Sequence, residues 1–191
     1  MRILIVGGTG LISSELATLA SARGDALTLV NRGSSTVAPP PPGAEVIHAD
    51  ATDPSSMRAA LRGRQLRGER YDAVVQFVAF TPEHVEQDVE TFARLTDQYV
   101  LIATGASYRT PERFASLTEG TTQDNPHWEY ARRKQAAEQA LRERAGQAGL
   151  GWTIVRPAHT YGPSKIPAFT ANSRHPWTLV DRMRRGADII L

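Results

Sequence analysis

The stretch RILIVGGTGLISSE, residues 2–15, sets the tightest limit on what this chain can fold into. Ile3 to Val6 reads as a short buried strand, and the run from Leu11 to Arg23 reads as a helix. Between them Gly7, Gly8 and Gly10 break any continuous helix and permit a tight turn. Gly7, Gly10 and Ser13 stand in a G-x-x-G-x-x-S spacing. In a strand-turn-helix setting, such glycines let the backbone approach a pyrophosphate that rests on the helix N-terminus. Ser13 replaces a third glycine at a position that tolerates a small residue for helix packing. The stretch therefore reads as a dinucleotide site with Gly7, Thr9, Gly10, Leu11 and Ile12 around the phosphates. The alternative is a tight turn with no ligand.

The rest of the chain repeats the alternation. Further short apolar runs at 26–30, 45–49, 72–79, 99–104 and 152–155 read as strands, each buried on both faces. Helices are predicted at 54–61, 82–95 and 128–148. Strands alternating with helices imply a parallel sheet, because parallel strands need crossovers. The expected fold is α/β, a doubly wound parallel sheet in three α/β/α layers, with ligands at the carboxyl ends of the strands. The proline-rich stretch VAPPPPGAE, residues 37–45, reads as a stiff spacer. MRAALRGRQLRGER, residues 57–70, carries five arginines and reads as a solvated helix face and loop rather than a nucleic-acid patch. WTLVDRMRRGADIIL reads as a helix, a glycine turn and a strand that stops after IIL.

Composition narrows the function. With 191 residues, 41% hydrophobic and 22% charged, the chain holds one globular domain with a proper core. It has no cysteine, so disulfides, thiolate catalysis and cysteine-ligated metal are excluded, and a reducing cytoplasm fits. The glycines argue against a secretory signal at the N-terminus, and no apolar run approaches the roughly 20 residues of a membrane span. The chain reads as soluble and unprocessed, and no metal ligand set is found.

About 20 residues beyond the glycines an acidic side chain normally accepts the adenosine ribose hydroxyls of NAD. Here Asn31 and Arg32 stand there. A missing carboxylate removes repulsion of a 2′-phosphate and a guanidinium pairs with it, so NADP is expected, with NAD as the alternative. Asp50 either accepts from the adenine amino group or caps the following helix. Ala51, Phe77, Val78, Ala79 and Pro157 are assigned with them to the cofactor.

WEYARRK holds Tyr130 and, four residues on, Lys134. Only two of the 22 basic side chains are lysine, so a Tyr-x-x-x-Lys pair arises by chance roughly 0.05 times. On a helix the two share a face. A nearby ammonium favours phenolate, lowering the tyrosine pKa from about 10, and such a tyrosine works as a general acid or base on a carbonyl or alcohol. Arginine cannot replace the compact ammonium. Thr104, ending the fifth strand, is placed to polarise a carbonyl oxygen, although threonine at a strand end is also common for structural reasons.

Taken in order, GGTGLIS, HADATDP, IATGASY, YARRK and VRPAHTYGP resemble the extended short-chain dehydrogenase/reductases, the NAD-dependent epimerase/dehydratase group. The likeness covers nearly the whole chain. It implies a Rossmann fold in which Tyr130 is the catalytic acid/base, Lys134 also holds the nicotinamide ribose, and Thr104, four residues before Tyr108, assists. His159 stands where relatives often carry an asparagine that touches substrate. The resemblance implies residues 1–163 as the NAD(P)-binding domain and 164–191 as the start of an incomplete substrate domain. It also implies a homodimer paired through helices flanking the sheet. The segment 80–98 is shorter than usual for the family, which puts its helix in doubt.

The expected function is an NAD(P)-dependent oxidoreductase or epimerase acting on a hydroxyl or carbonyl of a small, nucleotide-linked sugar. The alternatives are a non-catalytic nucleotide- or RNA-binding relative, for which the arginine runs would supply phosphate contacts, and a truncated inactive fragment.

Overall fold

The computed structural model describes residues 1–34, 38–109, 116–162 and 177–188. The expected terminal strand at 189–191 and Lys165 lie outside them. Two compact units are present, Met1–Ala158 and His159–Leu191. The first unit carries the sheet. Its elements run β1 (Arg2–Val6), α1 (Leu11–Ala22), β2 (Ala26–Asn31), β3 (Glu45–His48), α2 (Pro54–Leu66), β4 (Ala73–Gln76), α3 (Pro82–Phe92), β5 (Gln98–Ile102), a 3-10 turn (Gly105–Ser107), α4 (Glu129–Ala148) and β6 (Gly151–Val155). The second contains α5 (Trp177–Arg184).

All six strands are parallel, in the order β3-β2-β1-β4-β5-β6. The direction of winding reverses between β1 and β4, so a crevice opens above Val6 and Gln76, which are register partners. The layering follows from alternation along β1. Leu4 and Val6 face a core shared with Met57 and Leu61 of α2, Phe92 of α3 and Leu141 of α4. Ile3 and Ile5 face the opposite core, with Ala17 and Ala20 of α1. Three helices thus cover one face and α1 the other.

Two expectations need correction. The strands are not all buried on both faces: β3 and β6 are the sheet edges, and four of the five β6 residues are exposed. The segment 80–98 does form its helix. Thr81 is its N-cap, Pro82 occupies the first turn where a missing N–H costs nothing, and Val85, Val89 and Phe92 bury a stripe into the core. The arginine-rich run also extends α2 beyond the expected residue 61, to Leu66. The exposed Arg67 and Arg70 pair with Glu69 and Asp97, whereas Arg64, its side chain 12% exposed, is tucked in against Glu45 and Glu69.

One buried polar cluster braces the crevice. The Asp88 carboxylate accepts from Gln76 Nε2 and from the Tyr99 hydroxyl, both at 2.7 Å, while Gln76 Oε1 accepts from the Val78 N–H at 2.8 Å. Burial raises the Asp88 carboxyl to about 7, against the two hydrogen bonds, which lower it. A carboxyl raised above its unfolded value stabilises the fold fully at low pH, and this contribution is lost as pH climbs from about 4 to about 7. Asp88→Asn, which cannot ionise, is therefore expected to gain on the wild type between pH 5 and 8 by about 2–4 kcal/mol in urea denaturation. A stability difference independent of pH would contradict this.

Candidate functional site

The glycine turn is built as a cradle. Gly7 sits at φ +83°, and a Cβ there would lie 2.9 Å from Val78 Cγ1. The turn is fixed by Ser13, whose hydroxyl accepts from the Gly10 N–H at 2.8 Å and donates to the Gly7 carbonyl. Ser13 is thus a bridge as well as a small residue. Leu11 and Ile12 form the first turn of α1, with Ile12 36% exposed.

Above the turn lies a cleft of about 330 Å³. Gly7, Thr9, Gly10, Asn31, Arg32, Asp50, Ala51 and Val78, all assigned to the cofactor from sequence, line it, together with Phe80, which was not. Asn31 is 8% exposed, and neither polar atom of its side chain has a hydrogen-bond partner. A buried amide without partners is costly, and a ligand hydroxyl in the cleft would satisfy it. Arg32 is exposed at the rim. Of the two readings of Asp50, the cap fails: Asp53 caps α2 through the Ser55 N–H, whereas Asp50 accepts from the Thr52 N–H and hydroxyl. Those bonds, helped by the charge of Arg32, hold its carboxyl below the usual range. These residues fit a dinucleotide: the cradle is one that a Cβ would fill, and a buried amide awaits a polar group.

Phe77 packs under the second core and Ala79 is buried. The Ala79 carbonyl accepts from Lys134 Nζ at 2.8 Å, and the Ile102 carbonyl, ending β5, does so at the same distance. The ammonium also lies 4.8 Å from the centre of the Phe80 ring. Lys134 is 1% exposed, and burial lowers its pKa to about 8 while Glu138 opposes the drop.

Tyr130 stands one turn earlier on α4, half-buried between Phe80 (ring centroids 6.3 Å apart) and Trp128 (5.0 Å). Its pKa is raised, not lowered as the Tyr-x-x-x-Lys spacing suggested. Desolvation among aromatic rings is the cause, and the neighbouring ammonium is committed to two backbone carbonyls. The phenol is therefore held protonated, suited to donate.

Thr104 caps the 3-10 turn, its hydroxyl accepting from the Ala106 N–H at 3.2 Å. Pro157 meets the same turn, its carbonyl accepting from the Gly105 N–H at 2.9 Å. Asn125 staples this turn to the start of α4: its Nδ2 donates to the Ala106 carbonyl and its Oδ1 accepts from the His127 and Trp128 N–H groups. His159 is exposed and belongs to the second unit. Among the described residues no three His, Asp or Glu side chains gather to hold a metal ion, and no helix is long and apolar enough to cross a membrane.

The profile of a family described as the NAD dependent epimerase/dehydratase family matches residues 3–191. The chain is 28% identical over 171 residues to the chloroplast stem-loop binding protein of 41 kDa b of Arabidopsis thaliana, covering 85% of this chain and 43% of that protein. Its fold is similar to that of the Bordetella bronchiseptica enzyme WbmG in complex with NAD and UDP, with a TM-score of 0.73, 20% identity, and coverage of 100% of this chain and 61% of that one. UDP-glucose 4-epimerase of Thermotoga maritima, with UDP-glucose, gives a TM-score of 0.71 at 20% identity, covering 99% of this chain and 65% of that one. The chain spans less than two thirds of the length of each.

Gly7→Ala tests the cradle. A side chain at positive φ that also meets Val78 is expected to cost on the order of 1–3 kcal/mol in urea denaturation. It should also abolish NADPH binding under conditions where the variant stays folded, and unchanged affinity would show that nothing rests on this turn.

Proposed function

This chain belongs to the NAD dependent epimerase/dehydratase family, and from that premise we propose that it is a nucleotide-dependent enzyme acting on a hydroxyl or carbonyl of a small, nucleotide-linked sugar. NADP is the preferred cofactor. The observation that carries this reading is the position of Phe80. It lines the cleft above the glycine turn while its ring packs against both Tyr130 and the Lys134 ammonium, which supports reading the cleft and this pair as one site.

In this reading Gly7, Thr9, Gly10, Leu11 and Ile12 hold the pyrophosphate, and the orphaned amide of Asn31 meets the adenosine ribose. Arg32 pairs with a 2′-phosphate, and Asp50 and Ala51 border the adenine. A bound nicotinamide cofactor supplies hydride exchange with the substrate carbon. The chain supplies the proton and the geometry. Tyr130 donates its phenol proton to the substrate oxygen in the reducing direction, and in the oxidising direction its ionised form, the minor species at neutral pH, takes the proton from the substrate hydroxyl. Lys134, charged below about pH 8, ties α4 to the strand ends through the Ala79 and Ile102 carbonyls and offers its third N–H to the cofactor ribose. The Thr104 hydroxyl hydrogen-bonds the same substrate oxygen. His159 contacts the substrate, residues 164–191 contribute to the substrate region, and two copies pair through helices flanking the sheet.

The name of the Arabidopsis relative favours a second reading, RNA binding without catalysis. Against it, three of the five arginines in the run 57–70, Arg64, Arg67 and Arg70, are already paired with carboxylates. A phosphate would have to displace those partners.

Two variants separate the roles. Arg32→Ala is expected to weaken NADPH by tenfold or more in calorimetric titration while NADH stays within about twofold. Equal losses would remove the 2′-phosphate assignment. Tyr130→Phe should keep the affinity for cofactor and lose about 10²–10⁴-fold in turnover of UDP-glucose supplied with NADP or NAD. Turnover that survives the change would remove Tyr130 from the chemistry.

A further inference from the structure

One turn beyond Lys134 on α4 stands Glu138, 0% exposed. Arg156, just past β6, grips it as a fork, with Nε 2.9 Å from Oε1 and Nη2 2.6 Å from Oε2. Arg142 reaches Oε2 at 3.3 Å, and Gln123 Nε2 donates to it at 3.1 Å. The same Gln123 nitrogen donates to the Ser107 hydroxyl, and Arg156 Nη1 donates to the Tyr108 hydroxyl at 2.8 Å. Ser107 closes the loop by donating to the Thr104 carbonyl. One buried carboxylate therefore links α4, the end of β6 and the turn that begins at Thr104.

A pair this deep is an expensive way to gain stability, since desolvating both ions offsets much of their attraction. What it does supply is position and charge. Bidentate geometry fixes distance and angle together. We propose that Glu138 and Arg156 are positioning residues for Tyr130, Lys134 and Thr104: the fork sets α4 against the Thr104 turn, and the carboxylate keeps the buried Lys134 ammonium charged. This rests on the proposed role of Lys134.

The surroundings of Lys134 support the electrostatic half. From the loop after β4 and from β5 it receives neutral groups, two carbonyls and the Phe80 ring. On α3, Asp88 is engaged with Gln76 and Tyr99, and His84 Nδ1 accepts from the Phe80 N–H. On its own helix the Tyr130 phenol is protonated, so Glu138 is the group that favours the charged ammonium, opposing the downward push of burial. Arg142 and Arg156 compete for that carboxylate.

The chain has two lysines, so lysine labelled with carbon-13 gives two Cε signals to follow against pH, and Lys165→Arg assigns them. The wild-type Lys134 signal is expected to titrate near pH 8. Glu138→Gln should lower that midpoint by at least about one unit, a tenfold shift in the deprotonation equilibrium. Arg156→Met, which removes a competing cation, should raise it. A purely structural role would reduce stability in both variants and leave the titration unmoved. An unchanged Lys134 midpoint in either variant that circular dichroism shows to be folded would overturn the proposal. The signal is read without cofactor or substrate, so this failure is distinct from a failure of the enzymatic reading, which would show as absent cofactor binding.

Discussion

A single ammonium joins the parts of this site. Lys134 reaches from α4 to the carbonyls of Ala79 and Ile102, at the mouths of β4 and β5, and lies against Phe80 on the wall of the nucleotide cleft. Carbonyls at strand ends lack the partners that interior carbonyls find in the sheet, and a buried cation lacks water. Each satisfies the other. An arginine has a wider, planar head that does not match the compact ammonium seated between these two carbonyls. That accounts for a lysine in a chain whose basic side chains are otherwise almost all arginine.

The remaining buried polar groups serve the same mouth of the sheet. Asp88 orients Gln76, whose carbonyl receives the Val78 N–H and so shapes the turn against which Gly7 packs. Asn125 ties the start of α4 to the turn after Thr104, and the Arg156–Glu138 fork ties the middle of the helix to the same turn. Helix propensity and apolar burial would place α4 on the sheet only approximately. These polar contacts set its rotation and its height, on which the approach of Tyr130 depends.

Much of this was legible in the sequence because it depends on local rules. Short aliphatic runs separated by amphipathic stretches gave the strands, and the glycines after Val6 gave the crevice. What needed the structure depends on distance. Edge and central strands share a composition, so the exposure of β6 follows from the strand order alone. The Tyr130–Lys134 spacing places both residues on one face, but burial beside Phe80 and Trp128 gives the phenol's shift the opposite sign. Neither Phe80 nor Glu138 was assigned a role from the sequence. The partner of Glu138, Arg156, is 18 residues away, a separation to which no periodicity points. The Asn125-Pro126 pair ahead of the helix was the one local signal, a turn-forming dipeptide, that could have drawn attention to the staple.

The proposed function requires the Met1–Ala158 unit to bind a dinucleotide in the crevice between the glycine turn and Phe80. Hydrogen exchange of the 191-residue chain with and without saturating NADPH tests it in place. Exchange should slow at residues 7–14, 50–52 and 77–80, with the arginine-bearing face of α2 unchanged. Protection that falls instead on α2, or no protection at all, would contradict it.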